Sequence, residues 1–160
     1  MMVTVTLISV GTLKESYLKE AVAEYKKRLS QFARVEEVNL KEEQIPDEDD
    51  KSRIKAALDS EGERILAAIP KDAYKIAMCV EGTQYDSPAL AKIIEGACDR
   101  TGKIALVIGS SHGLCDEVKR RCDLKLSVSK MTFPHQLMRP ILLEALYRSF
   151  TIIAGKRYHK

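Results

Sequence analysis

Gly109-Ser110-Ser111-His112-Gly113 fits the pattern G-x-S-x-G. In that pattern a serine at a sharp strand-to-helix turn stands clear of the backbone and attacks a carbonyl, once a histidine takes its proton and an acid orients the histidine. Ser111 would be the nucleophile, and Asp116 or Asp123 with His135 or His159 would supply the acid and base in the required chain order. The rest of a hydrolase is absent from the sequence: 160 residues is short for that fold, and no His-Gly-Gly-Gly type oxyanion loop lies upstream. The same small residues serve a strand end that needs a close backbone turn and no nucleophile. A serine hydrolase therefore stands as an alternative reading only.

A second segment, Leu126-Ser-Val-Ser-Lys-Met-Thr-Phe-Pro-His135, also leaves a strand for a loop of small, polar and proline residues. Two such junctions close together build one pocket, because ligands of open parallel sheets bind beyond the carboxyl ends of the strands. Neither loop is a GxGxxG cradle or a Walker loop, so a nucleoside with an uncharged tail suits them better than a nucleotide phosphate. Backbone N–H and C=O groups would read the base, Gly109 and Gly113 would let the chain come close, and apolar walls would hold the rest. If the ligand carries a sulfonium methyl group, the protein must align sulfur, methyl and acceptor, and must remove a proton from an acceptor ring nitrogen.

His135, beside the second loop, is the candidate base; the competing reading is a helix N-terminal residue making a local hydrogen bond. Arg139 follows at i, i+4 on the same helical face, placed for an RNA phosphate or a cofactor carboxylate, or for a surface salt bridge. Arg157, Tyr158, His159 and Lys160 end the chain. Their basic and aromatic character suits phosphate clamping and base stacking, against the alternative of a frayed terminus. His112 faces nucleic acid or serves the turn. His112 and Cys115 are three apart, but no second pair completes a zinc site, so no metal is expected.

These residues need a frame. Val3–Val10 reads as a strand and Lys14–Leu29 as a helix with Leu18, Ala21, Val22, Tyr25 and Leu29 on one stripe. Val35–Leu40 is a second strand, Lys41–Asp50 an acidic loop, and Lys51–Ile69 a helix stopped by Pro70. Ala73–Val80 is a buried strand turned by Glu81-Gly82, and Ser87–Arg100 is a helix with Ser87 as N-cap and Pro88 next. Ile104–Ile108 is a strand, Leu114–Arg121 a short helix, Leu124–Val128 a strand, and His135–Phe150 a long helix with Leu137, Ile141, Leu142, Ala145, Leu146 and Ser149 as its core stripe. Thr151–Lys160 is a tail with a short final strand. Alternation of strand and helix predicts one α/β domain over residues 1–160 around a mostly parallel sheet. The long stripe also predicts that Leu142→Asp or Leu146→Asp breaks folding or dimerisation.

Composition agrees with a globular chain: 45% hydrophobic and 31% charged residues, with no apolar run long enough to span a membrane. The opening MMVTVTLISVG carries no basic leader and predicts no signal peptide. Four cysteines without a CxxC pair suggest reduced thiols in the cytoplasm. The net charge of +3 conceals an asymmetry. Residues 130–160 hold six basic side chains against one acid, Glu144, while acids crowd Glu42–Asp50. That distribution suits a polyanionic partner approaching from one side, or simply a solvated basic tail.

VIGSSHGL, LSVSKMTFPHQLMR, ILLEALYRSFTIIAGKRYHK and the opening VTLISVGTLKESYLKEAVAEYKKRL together resemble the small bacterial large-subunit (23S) ribosomal RNA pseudouridine methyltransferases of the SPOUT class, over essentially the whole chain. The SKMTFPHQLMR run with a terminal YHK is far more specific than G-x-S-x-G. The resemblance implies a SPOUT-type α/β fold with a C-terminal trefoil knot, an exception to the rule that chains stay unknotted. It implies S-adenosylmethionine as cofactor, a homodimer, the assembled ribosome as partner, and methylation at N3 of a pseudouridine, with no membrane and no metal. Carried over by position, cofactor contacts fall on Met78 (commonly Leu in the family), Gly109 and the loop of Val128, Ser129, Lys130, Met131, Thr132 and Phe133; His135 and Arg139 take catalytic roles and Arg157 to Lys160 RNA contact. The family commonly has Gly-Gly where this chain has Gly109-Ser110; a positive φ at Ser110 would cost about 1 kcal/mol or more. A non-catalytic RNA-binding module that keeps the fold is the further alternative.

Overall fold

The computed structural model describes residues 2–159. β1 (Val3–Val10) lies between β2 (Ala33–Leu40) and β4 (Lys103–Ile108); β3 (Tyr74–Thr83) follows, and β5 (Leu124–Leu126) forms the far edge. Every pairing is parallel, which makes the sheet parallel throughout. The helices are α1 (Ser16–Leu29), α2 (Lys51–Ala68), α3 (Ser87–Arg100), α4 (Asp116–Arg121) and α5 (Met138–Ile153).

Strand periodicity sorts the core into two layers. Val5 and Leu7 of β1 and Ile104, Leu106 and Ile108 of β4 turn to one face, where α1, α3 and α5 cover them with Val22, Ile94, Leu142 and Leu146. Ile8 and Val10, with Ala105 and Val107, turn to the other face, under Ile65 of α2 and Val118 of α4. Covering both faces is why these strands read as continuous apolar runs rather than alternating ones. α2 comes close to the start of α4 at Gly62, where a Cβ would lie 2.4 Å from Cys115 Sγ. All four cysteines are free thiols; burial first, with the nearby Cys79, pushes Cys122 up to about 11. No helix among the described residues is long and apolar enough to cross a membrane.

Several boundaries differ from the sequence reading, each for a local reason. β3 runs on to Thr83 instead of turning at Glu81-Gly82: Met78 and Thr83 both pair with Leu126, so the residues between them form a bulge. Gly82 permits that bulge, since a Cβ there would meet Lys125 O at 2.6 Å. α3 is capped by Asp86, whose carboxylate accepts from Ala89 N at 2.8 Å, one residue before the expected Ser87. The expected His135–Phe150 helix begins as a 3-10 turn, His135–Leu137, and becomes α-helical only at Met138. Pro140 explains the restart: in the first α turn its missing N–H has no helical partner to lose. No final strand forms among the described tail residues. α5 continues to Ile153 and closes on Gly155 (φ 70°), with Lys156 N–H donating to Thr151 O at 2.9 Å and Gly155 N–H to Ile152 O at 3.1 Å, the paired bonds of a Schellman stop.

Candidate functional site

At the carboxyl ends of β3, β4 and β5 lies a cavity of about 300 Å³, a volume suited to a nucleoside-sized ligand. Met78 of β3, just before the bulge, the Gly109–Leu114 loop, the Ser127–Phe133 loop, and His135 with Met138 form its walls. Both strand-to-loop junctions therefore open into one space.

The first loop is a tight crossing of backbone. Gly113 N–H donates to Ser110 O at 2.9 Å, and Gly113 sits at φ 92°. A Cβ on Gly109 would stand 2.2 Å from Gly113 O, so only glycine fits there. Ser110 needs no such freedom: Asp72 is the one non-glycine with positive φ among the described residues, and the strain considered for Ser110 does not arise. Its hydroxyl is buried without a partner. Ser111 is exposed and hydrogen-bonds to no histidine among the described residues, while Asp123 is engaged by Lys75 N–H at 2.8 Å. The Ser-His-Asp arrangement of the hydrolase reading is not assembled.

The second loop folds on its own serines. Ser127 Oγ donates to Ser129 O at 3.0 Å, and Met131 N–H donates to Ser129 Oγ at 3.0 Å. Val128 and Met131 remain exposed, which offers an apolar rim over the cavity. Lys119 and Glu81 close another part of the rim as an ion pair at 2.6 Å, and the lysine's hydrogen bond holds the Glu81 carboxyl below its usual range.

His135 is half-buried, with Nε2 enclosed and unpartnered. Burial depresses its pKa below the usual imidazole value; Glu42 opposes the shift and Arg139 adds to it. Burial and the Arg139 charge thus favour the neutral ring.

Of the residues singled out from sequence, the fold brings Met78, Gly109, Val128, Ser129, Met131, Thr132, Phe133 and His135 to this cavity. It places Lys130 elsewhere, on a shallow groove with Val80, Glu81, Gly82 and Gln84. Arg139 is neither a surface salt bridge nor a wall of the cavity: it is 2% exposed, and its guanidinium donates to Asn39 Oδ1 at 3.0 Å and Gly11 O at 2.8 Å. The tail folds against α5. Tyr158 donates to Glu144 Oε2 at 3.0 Å, under Arg148, whose guanidinium stands 4.7 Å from the Tyr158 ring centre and 2.8 Å from Glu144. His159 lies 3.3 Å from Arg148, Arg157 is exposed, and Lys160 falls outside the described residues. Sequence reasoning missed Glu144 and Arg148 as the tail's anchor, although their i, i+4 spacing is a readable signal. His112 does line the cavity, while Cys115 is buried in the core against α2 at the start of α4. No cluster of three metal-ligating side chains occurs among the described residues.

Comparison with known proteins converges on one group. The family model described as "Predicted SPOUT methyltransferase" matches residues 3–159. A protein of Shouchella clausii named ribosomal RNA large subunit methyltransferase H is 48% identical over 158 residues, covering 98% of this chain and 99% of its own length. Proteins of the same name from Bacillus pumilus (46% over 157 residues) and Caldicellulosiruptor saccharolyticus (44% over 156 residues) each cover 98% of this chain and 99% of their own length. Among solved structures, a probable methylase family protein of Haemophilus influenzae superposes with a TM-score of 0.53 over 96% of this chain and 67% of that one, at 15% identity, a likeness of fold alone.

Proposed function

Because this chain belongs to the SPOUT methyltransferase family, whose members use S-adenosylmethionine, we propose that it methylates large-subunit (23S) ribosomal RNA, at N3 of a pseudouridine presented by the assembled ribosome. The observation that carries this reading is the meeting, in one cavity, of the glycine-tight loop, the serine-folded loop and His135. The residues fit the cofactor. Gly113 leaves backbone exposed to a base, Ser110 offers a buried hydroxyl with no partner, and Met78, Ile108, Leu114 and Met138 supply apolar contact.

The cofactor brings an electrophilic methyl group on a sulfonium. The chain's own contribution is to hold the acceptor in line with that methyl, to exclude water, and to take the N3 proton. His135 does the last. A neutral imidazole is the form that accepts, and burial keeps it neutral to lower pH than in water. The acidic limb of kcat/KM is therefore expected below the ordinary histidine value of about 6.5, with a plateau through pH 7 to 8. Stability carries the same sign: the folded state resists protonation of His135, so its contribution is complete above the unfolded value and is lost as pH falls below it. A pH profile of wild type against His135→Gln checks both. An identical acidic limb in the variant would remove His135 as the base.

The active form is taken to be a homodimer. The tail folds back onto α5, with Tyr158 on Glu144 and His159 beside Arg148, so it stands about 9 to 15 Å along the helix from Met138 at the cavity wall. A tail that contacts RNA at the methylated base then belongs more naturally to a second copy. A trefoil knot is also part of this reading. The chain leaves edge strand β5 and returns across the carboxyl ends of the sheet, where Gln136 reaches Thr12 O at 3.3 Å, before α5 packs on α1 and α3. The ribosomal substrate implies the cytoplasm.

Tritiated methyl transfer to whole ribosomes, separated subunits and free RNA, with the product mapped to a nucleoside and atom, tests the function. Incorporation at N3 of a pseudouridine in whole ribosomes is expected. Methylation at a base carbon or ribose oxygen, or none with cofactor bound, would contradict it.

A further inference from the structure

A second groove, of about 390 Å³, shares no lining residue with the cofactor cavity. Arg139 forms part of its wall, with Thr12, Lys19, Lys26, Glu37 and Asn39 around it. Arg139 is almost wholly removed from solvent, yet both of its hydrogen bonds go to neutral oxygens, those of Asn39 and Gly11. Its Nε is buried with no partner, and no carboxylate among the described residues stands within ion-pair distance of it. The nearest wall acid, Glu37, is held by Lys26 at 2.9 Å. A buried guanidinium without a counter-charge is costly, because charges in protein interiors are normally paired. Here the fold keeps one at the edge of an open space whose wall carries three cations and one carboxylate.

We propose that this groove is an oxyanion site that takes a phosphate group, with the guanidinium of Arg139 and the ammonium of Lys19 as its charged donors and the Thr12 hydroxyl as a further one. Each terminal nitrogen of Arg139 keeps a second N–H beyond its bond to Asn39 or Gly11, which suits a phosphate oxygen, and a lysine supplies the second charge without geometric demand. The source is the backbone of the RNA substrate. Arg139 follows His135 by four residues, so the site holds a phosphate close to the nucleotide being methylated. That step rests on the function proposed above; the anion site itself does not.

Inorganic phosphate is the first probe and ribosomes the second, both with the full-length protein. Two variants are needed. Arg139→Gln removes the charge. Ala23→Glu, at an exposed position on the groove wall, keeps Arg139 and offers it a carboxylate, so it decides the matter if Arg139→Gln does not fold. Millimolar phosphate is expected to raise the melting temperature of wild type and of neither variant. Both variants should raise KM for ribosomes at least tenfold, keep S-adenosylmethionine affinity within twofold by calorimetry, and lower the slope of log affinity against log salt by about one. Equal phosphate shifts in all three proteins, or an unchanged KM, would overturn the site. No phosphate effect on wild type, with Arg139→Gln converting a dimer to a monomer in sedimentation, would also overturn it and assign the groove to a carboxylate of a second copy. If no protein methylates ribosomes, the proposed function fails while the phosphate titration still decides the anion site.

Discussion

Gly109→Ala is expected to weaken S-adenosylmethionine binding at least about 100-fold, which corresponds to about 2.7 kcal/mol. The added methyl would stand 2.2 Å from Gly113 O, 2.6 Å from its carbonyl carbon and 2.9 Å from Leu114 Cδ2. Two of those three atoms are backbone, so no side-chain rotation relieves the clash. The Ser110–Gly113 bridge has to open, and both residues line the cavity. Gly113→Ala is the informative control. Nothing lies within 4 Å of its Cβ, and the substitution meets only the φ of 92°, a conformational cost of about 1–2 kcal/mol. Calorimetric titration of both variants, beside their melting temperatures, separates the cases. A folded Gly109→Ala protein that binds the cofactor as wild type does would place the cofactor outside this cavity.

Much of the frame was legible because its signals are local. Apolar β1 and β4, the alternation of strands with helices and the stop at Pro70 each depend on a few neighbouring residues, and the all-parallel sheet follows from them. The two loops were legible as a pair because both follow strands. Features that depend on distant partners were not. Asn39 and Gly11, which hold Arg139, are 100 and 128 residues away from it in sequence, and nothing in the spacing links them. The geometry between His135 and Arg139 failed for a subtler reason. Placing them on one face assumes a regular α-helix, but His135–Leu137 is a 3-10 turn. At about 120° per residue instead of about 100°, three residues of that turn swing Arg139 some 60° further round, and it looks into another groove. Gly82 had the look of a simple turn residue; it serves a bulge whose need is set by Lys125, on a different strand.

Leu146→Asp is expected to leave the chain largely unfolded. On sequence alone the α5 stripe admitted two outcomes, loss of folding or loss of a dimer. Burial within one chain decides between them: Leu142 and Leu146 are each 2% exposed and belong to the layer shared with β1, β4, α1 and α3. A carboxylate there loses the apolar contact of a leucine, worth about 2–5 kcal/mol when truncated, and adds an unpaired buried charge costing several kcal/mol more. The sum rivals the whole stability of a typical domain, about 5–15 kcal/mol. Leu146→Asn, without the charge, should be milder. The acid also gives the effect a pH signature. Burial raises the folded-state pKa of the introduced carboxyl above its unfolded value, so the folded form binds the extra proton and the variant gains stability as pH falls toward the carboxylate range. Circular dichroism melts of Leu146→Asp and Leu146→Asn between pH 4.5 and 8, at two protein concentrations, read all of this. A well-folded Leu146→Asp monomer with a wild-type melting temperature would mean that this face of α5 belongs to an interface between copies and not to the core of one.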